Sequence, residues 1–363
     1  MPMLRAIIFC VAGVLIGITN VSESRCGDGP PATDPSPSEI ADELWKNRLM
    51  ATRCFRSGLR DRLLLCERGR CVVVEASGRS HITVGNGWIW DAAVLGGETT
   101  TLVQTGPKQL EISHGKQTDK AQSLTPQFQN IIINGAVLDP SRRRILTISL
   151  DHVESTYLDR NDVYGPGSLQ LISMDGSVLC AGFDFPEVPH LIRRDETCTR
   201  VAVLTERRVY LFKVDLRGFD LVGCSEEFKT TPNAFDFSRD GNWLLVGGYD
   251  WVKCLASENL KTLWTRNCPS EIGPVVCTEK FCAWRTKNRI DVKLIATDHD
   301  DVRSIDVGDD CYGICSVYSR FENVIAAVFV PDPEARPWVK IYNAETLAET
   351  TAFTFPMADA KGQ

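Results

Sequence analysis

The sequence has no surplus of positive charge. Its 40 Lys and Arg stand against 47 Asp and Glu, a formal net charge of −7, whereas a dedicated nucleic-acid binder carries a basic footprint to offset phosphate charge. No nucleic-acid partner is expected, and the short basic groups Arg142, Arg143, Arg144 and Arg207, Arg208 read as solvated turn faces. Histidine is scarce: His81, His114, His152, His190 and His299 are scattered along the chain, and no nucleophile elbow or Ser, His, Asp ordering accompanies them. No catalytic residue is assigned. The acidic stretch with Asp298, Asp300, Asp301, Asp306, Asp309 and Asp310 lacks the Asp-x-Asp-x-Asp-Gly loop and closing Glu of a calcium site, so it reads as solvated inter-strand turns. No metal and no cofactor is expected.

A comfortable membrane span is also missing. The apolar run from Ala6 to Ile18 falls short of the about 20 residues that a span requires. It follows one cation, Arg5, and precedes small residues at Ser22 and Ser24, which is the grammar of a secretory signal with a cut after Ser24. The expectation is an exported protein, periplasmic, extracellular or membrane-anchored facing outward, with residues 1–24 as signal peptide or uncleaved anchor. Residues 25–38, "RCGDGPPATDPSPS", are too rich in Pro and Gly for a core element and read as a linker. Over 39–50, Ile40 and Leu44 lie four apart, as do Ala41, Trp45 and Leu49, with Glu39, Asp42 and Glu43 near the start. That spacing predicts a short amphipathic helix.

What is abundant is short apolar segments separated by turn residues. With 43% hydrophobic and 24% charged residues the remainder is ordinary globular material. "FDFSRDGNWLLVGGYDWVKCLASENLKTLWT" from Phe235 contains four such segments, and "SRDGN" and "SENLK" mark reversals. A four-stranded meander of this size cannot bury enough apolar surface alone to offset the entropy of ordering it. Neighbours recur: taking Leu95, Leu138, Ile192, Asp236, Val276 and Tyr318 as equivalent anchors gives steps of roughly 43, 54, 44, 40 and 42 residues. The long step holds "DHVESTYLDRNDVYGPGS", read as a loop within its unit. A period in the low forties with four strands per unit predicts an all-β, seven-bladed β-propeller of four-stranded antiparallel blades over 51–357, with 358–363 as a tail. A latch pairing "MATRCFR" at Met50 with "TLAETTAFTF" at the other end is expected to close the ring.

The unit "FDFSRDGNWLLVGGYDWVKCLA" resembles a WD40 or YVTN repeat, in which a Ser-x-Asp-Gly turn precedes a glycine-ended strand and an Asp-led third strand. "NLKTLWT" is similar to the turn-and-Trp ending of quinoprotein-like propellers. No unit carries the Gly-His and Trp-Asp pair of a true WD40 blade, and "WIWD" at Trp88 to Asp91 lacks the usual turn after it.

Two cysteine pairs share one spacing: Cys66 with Cys71, and Cys277 with Cys282, each separated by four residues and bracketed by apolar segments. In hairpins the sulfurs would face each other within disulfide reach. The other reading is that they are small buried apolar residues. Cys311 and Cys315 are similar. The spacing is not that of a zinc knuckle. Trp88, Trp90, Trp243, Trp251, Trp264, Trp284 and Trp338 are expected mostly in the wedges between adjacent sheets. The insertion offers Asp151, His152, Glu154, Asp159 and Asp162, a set that could hold a metal only if it folded over the channel. Repetition without a catalytic signature favours a monomeric, non-catalytic binding or scaffold module for a protein, peptide or glycan partner. The alternative is a cofactor- or metal-dependent propeller enzyme, a quinoprotein-like oxidoreductase or a lactonase-like hydrolase.

Overall fold

The reversal at Ser238 to Asn242 shows how sequence becomes fold. The Ser238 hydroxyl donates to Asp240 Oδ1 (2.6 Å) and accepts the Trp243 N–H (2.9 Å), while Asp240 Oδ1 also takes the Asn242 N–H (3.1 Å). Gly241 sits at φ +71°, and its N–H returns to the Ser238 carbonyl. The chain must reverse there, and the one left-handed position is filled by the residue with no Cβ. A Cβ on Gly241 would also lie 3.4 Å from the Asp195 carboxylate of the preceding sheet. Gly241→Ala is therefore expected to destabilise the protein by about 1–2 kcal/mol, read from urea midpoints; an unchanged midpoint would contradict this account.

The computed structural model describes strands between Arg53 and Thr354, most of the connections from residue 177 to 308 and the connection over 344–348; residues 1–52 and 355–363 lie outside the described part. The expected leader, linker and amphipathic helix fall there. Everything described is β, and no helix among the described residues is long and apolar enough to cross a membrane. Sheet one holds β1 (Arg53–Arg56), β2 (Arg62–Glu67), β3 (Arg70–Glu75) and β4 (Ser80–Val84). Sheet two holds β5 (Trp88–Leu95), β6 (Glu98–Gly106), β7 (Gln109–His114) and β8 (Gln122–Leu124). Sheet three begins with β9 (Ile131–Asp139) and β10 (Arg144–Leu150), is interrupted by a hairpin of β11 (Val153–Thr156) and β12 (Asn161–Tyr164), and resumes with β13 (Gly167–Ser173) and β14 (Phe183–Asp184). Sheet four is β15 (Pro189–Arg194), β16 (Arg200–Thr205), β17 (Val209–Val214) and β18 (Phe219–Cys224). Sheet five is β19 (Ala234–Phe237), β20 (Trp243–Gly247), β21 (Trp251–Ala256) and β22 (Thr262–Asn267). Sheet six is β23 (Val275–Cys277), β24 (Phe281–Arg285), β25 (Arg289–Leu294) and β26 (Val302–Asp306). Sheet seven is β27 (Cys311–Tyr318), β28 (Asn323–Phe329), β29 (Trp338–Asn343) and β30 (Glu349–Thr354).

Every sheet is an antiparallel meander of strands consecutive in the chain, apart from the hairpin inserted in sheet three. First strands lie side by side in chain order, β1 against β5, β5 against β9, and so on to β27, which touches β1. Two expectations change. Among the described residues the expected latch does not form: β1 pairs with β2 and β30 pairs with β29, so the end strands belong to different sheets. With all four strands of sheet one supplied by one stretch of chain, no exchange between the ends is needed. The expected loop at Asp151 to Ser168 instead contains a paired hairpin, with Val153 opposite Tyr164 and Thr156 opposite Asn161.

The core is divided among the sheet interfaces. Leu146, Leu169, Phe185, Val203 and Phe212 bury between sheets three and four, and Leu204, Phe235, Leu244 and Trp251 between four and five. Leu245, Cys254, Cys277 and Trp284 bury between five and six, and Val276, Ile290, Ile325 and Tyr342 between six and seven. Inner strands read as nearly continuous buried runs because both faces are covered, as in β16 and β20. The outer strands β18 and β22 are largely exposed, and three outer strands carry one extra residue in their pairing: Val222 in β18, Leu263 in β22 and Thr350 in β30. Such bulges twist an open edge away from pairing with another chain.

Candidate binding face

The meander gives each sheet two unlike ends. Turns between first and second and between third and fourth strands lie at one end, here the hairpin face. Turns between second and third strands lie at the other, with the segments joining one sheet to the next; this is the connection face.

The hairpin face is tied laterally, sheet to sheet. Arg144 donates to the Asp215 carbonyl in the turn of sheet four, and Arg200, equivalent in sheet four, donates to the Gly241 carbonyl (3.2 Å) and Ser257 Oγ (2.7 Å) of sheet five. Trp264 Nε1 reaches the Ile295 carbonyl of sheet six (3.3 Å), and Arg303 reaches the Ala344 carbonyl of sheet seven (3.2 Å). Arg144 is thus a correction: expected on a solvated turn, it is buried, because its guanidinium closes the gap to the next sheet. Arg207 remains exposed. Each tie satisfies a turn carbonyl that strand pairing leaves open.

The connection face is built differently. Where sheet four presents it, Glu187 accepts from the Thr205 hydroxyl and from Arg208 (3.3 Å), and Glu227 bridges Arg207 (3.1 Å) and Arg208 (3.3 Å). Burial holds the Glu206 carboxyl above its ordinary range; nearby Arg207 opposes this and Glu187 adds to it. On sheet five, Trp251 Nε1 donates to Thr230 Oγ1 (2.6 Å) and its ring packs on Phe228 with centroids 5.1 Å apart. That ring lies so close over Gly248 that a Cβ there would be 2.2 Å from it. The turn is thereby pinned, and it holds Tyr249 outward with 60% of its surface exposed.

Polar bonding at this end is incomplete. His190 is buried at the start of β15 with no partner for Nε2, and burial pushes its pKa down to about 4. Asn233 Nδ2 donates to the Ile272 carbonyl (3.0 Å), but its Oδ1 has no partner. Arg285 donates through Nη1 to the Cys311 carbonyl, but its Nε has none. Three further orphan atoms occur among the described residues: Arg144 Nε at the hairpin face, Thr147 Oγ1 within sheet three and Trp284 Nε1 between sheets five and six. Buried unpaired polar groups are costly, and local departures from a fold's own rules concentrate at functional or strained sites.

Of the sequence candidates, Trp284 and Trp251 do lie buried between sheets, and Trp243 and Trp264 pack half-buried against the same interface as Trp284. His190 is the one histidine whose surroundings are described. Cys277 and Cys282 face each other in register, as do Cys66 and Cys71. The structure does not bring the acidic residues together into a site among the described residues: Asp306 is exposed and accepts the Gly308 N–H (3.2 Å), and no group of three His, Cys, Asp or Glu that could hold a metal occurs there. Backbone pairing sets Glu154 opposite Val163 and Asp162 opposite Ser155 in the inserted hairpin, which leaves sheet three at the connection face. Asn233, Arg285 and Tyr249 were not singled out by the sequence. Tyr249 had a signal, since it follows two glycines and precedes an Asp at a strand reversal.

Among solved structures, the β-propeller domain of Cps50 (Swd1) from Myceliophteria thermophila is similar to this chain, with a TM-score of 0.51 at 11% identity over 67% of this chain and 84% of that one. No family model matches. No curated protein matches either. At that identity the likeness speaks for the fold, which agrees with the meandering sheets: the chain is a β-propeller repeat protein.

Proposed function

We propose that this chain is a non-catalytic binding or scaffold module, its sheets forming seven blades of one closed ring, which takes a protein or peptide partner on the connection face. The observation that supports this is the inequality of the two faces. The hairpin face directs its Arg and Trp donors to its own neighbours, whereas the connection face carries an added hairpin, an outward tyrosine on a pinned turn, and a mixed Arg and Glu surface. Tyr and Arg are the residues that most often dominate protein interfaces. A polypeptide suits such a surface better than a glycan because Arg207, Arg208, Glu187 and Glu227 offer both charge signs.

A pull-down with Arg25 to Gln363 as bait tests the reading. Tyr249→Ala is expected to reduce retained partner about tenfold or more with an unchanged melting temperature. Glu258→Ala, an exposed change on the hairpin face, is expected to leave retention as it was. If the second variant loses the partner and the first keeps it, the assignment of faces is wrong. Export is part of the proposal: amino-terminal sequencing of protein collected outside the cytoplasm is expected to begin at Arg25, and recovery of the intact leader on soluble cytoplasmic protein would refute it. Metal content and the absorption spectrum of the purified protein separate this module from a cofactor-dependent enzyme.

A further inference from the structure

The Cys277 and Cys282 pair is not used by the binding face, yet the backbone gives it a particular geometry. The turn between β23 and β24 consists of two residues, Glu279 and Lys280, and is closed by the Thr278 N–H on the Phe281 carbonyl (2.7 Å). Thr278 and Phe281 thus form the hydrogen-bonded pair. The next pair outward, Cys277 opposite Cys282, is of the non-bonded kind. The Cys277 N–H agrees with this, because it donates across the sheet interface to Asp236 Oδ2 (3.0 Å). Non-bonded pairs bring the two Cα atoms to about 4.5 Å with side chains on one face, inside the separation a disulfide accepts.

We propose that Cys277 and Cys282 form a cross-strand disulfide that is made before sheets five and six close together. Both residues are fully buried, and burial pushes the Cys282 thiol well above the ordinary cysteine range. A folded chain therefore offers neither thiolate nor access to an oxidant. In the open hairpin, the Cys277 thiolate attacks one sulfur of a small-molecule disulfide such as oxidised glutathione and expels one thiolate. Cys282 thiolate then attacks the Cys277 sulfur and expels the second. Two cysteine thiols are oxidised and one external disulfide is reduced; the two cysteine protons pass through solvent to the two expelled thiolates, which become thiols. Packing then traps the bond. Cys66 and Cys71 are likewise paired in register, one position outside the Glu67 and Arg70 pair, so the same chemistry is available at a second pair of strands.

The full chain, refolded in mixed oxidised and reduced glutathione, is alkylated in denaturant and cut with trypsin. Cleavage after Lys280 separates the two cysteines, so the expected product is the Cys277 peptide joined to Phe281–Arg285 by sulfur. The link is expected to survive reductant applied to the folded protein and to disappear when reductant is added in denaturant. The Cys277 peptide also contains Cys268; Cys268→Ser is expected to keep the link and Cys277→Ser to abolish it. Alkylation of both Cys277 and Cys282 after oxidative refolding, or a link from Cys282 to Cys254 instead, would overturn the proposal. Fragmentation of the linked wild-type peptides, which tells Cys268 from Cys277 by position, gives the same assignment without requiring a variant to fold.

Discussion

Replacing Phe212 by alanine is expected to lower the stability of this protein by about 4 kcal/mol. Phe212 is fully buried on β17, where sheets three and four meet. Its ring lies 5.1 Å from Phe183, 6.1 Å from Phe185 and 5.6 Å from Phe219, each close to edge-on. These partners come from two sheets, so they cannot collapse inward without moving both. The cavity stays open, and the loss approaches the upper part of the range for aromatic truncation. Urea unfolding measures it, and a loss under about 1 kcal/mol would mean that the inter-sheet wedge is not where this fold keeps its stability. Phe212→Leu should lose less, since most of the volume is kept.

Acid is expected to weaken the protein through His190. Its pKa falls from 6.5 to about 4 because the buried ring is removed from water. Above pH 6.5 the imidazole is neutral in both folded and unfolded chains, and its contribution is fully present. As pH falls from 6.5 toward 4, the unfolded chain binds a proton that the folded chain refuses, so stability drops; below about 4 the loss levels off. The total is about 3 kcal/mol, since each tenfold loss of proton affinity on folding is worth about 1.4 kcal/mol. Glu206, whose carboxyl is raised, works in the opposite sense, stabilising at low pH and less so as pH rises through its titration. Comparing wild type with His190→Gln cancels that background. The variant should lack the acid loss between pH 7 and 4.5; parallel pH profiles for the two proteins would show that His190 is hydrated or paired in solution.

Much of the fold could be read directly because the information is local. Phe235 to Thr265 divides into strands where alternation breaks at Ser, Asp, Gly and Asn, and β19 to β22 follow those breaks closely. Turn chemistry misled in one respect: Leu260 and Leu347 adopt φ +57° and +62° with no glycine in the sequence to announce it. Leu260 is buried against sheets four and five, and that packing offsets an unfavourable backbone. Arg144 misled for a related reason. Within "PSRRRIL" it looks like any turn cation, and only the neighbouring sheet turns its guanidinium into a tie.

The candidate binding face was far less legible. Its residues come from turns and connections more than a hundred positions apart, and nothing in spacing tells which strand end a turn occupies. Pairing in register does tell it, once the first strand of each sheet is known.

By itself the sequence determined the unit: four strands, their turns, the period, and the paired cysteines, all set by contacts between residues near one another in the chain. Tertiary structure alone decided which sheet faces meet, which cations tie one sheet to the next, that the end strands stay apart in separate sheets, and which histidine loses its water. Those depend on burial between sheets, and burial is a property of two surfaces brought together, which no single repeat contains.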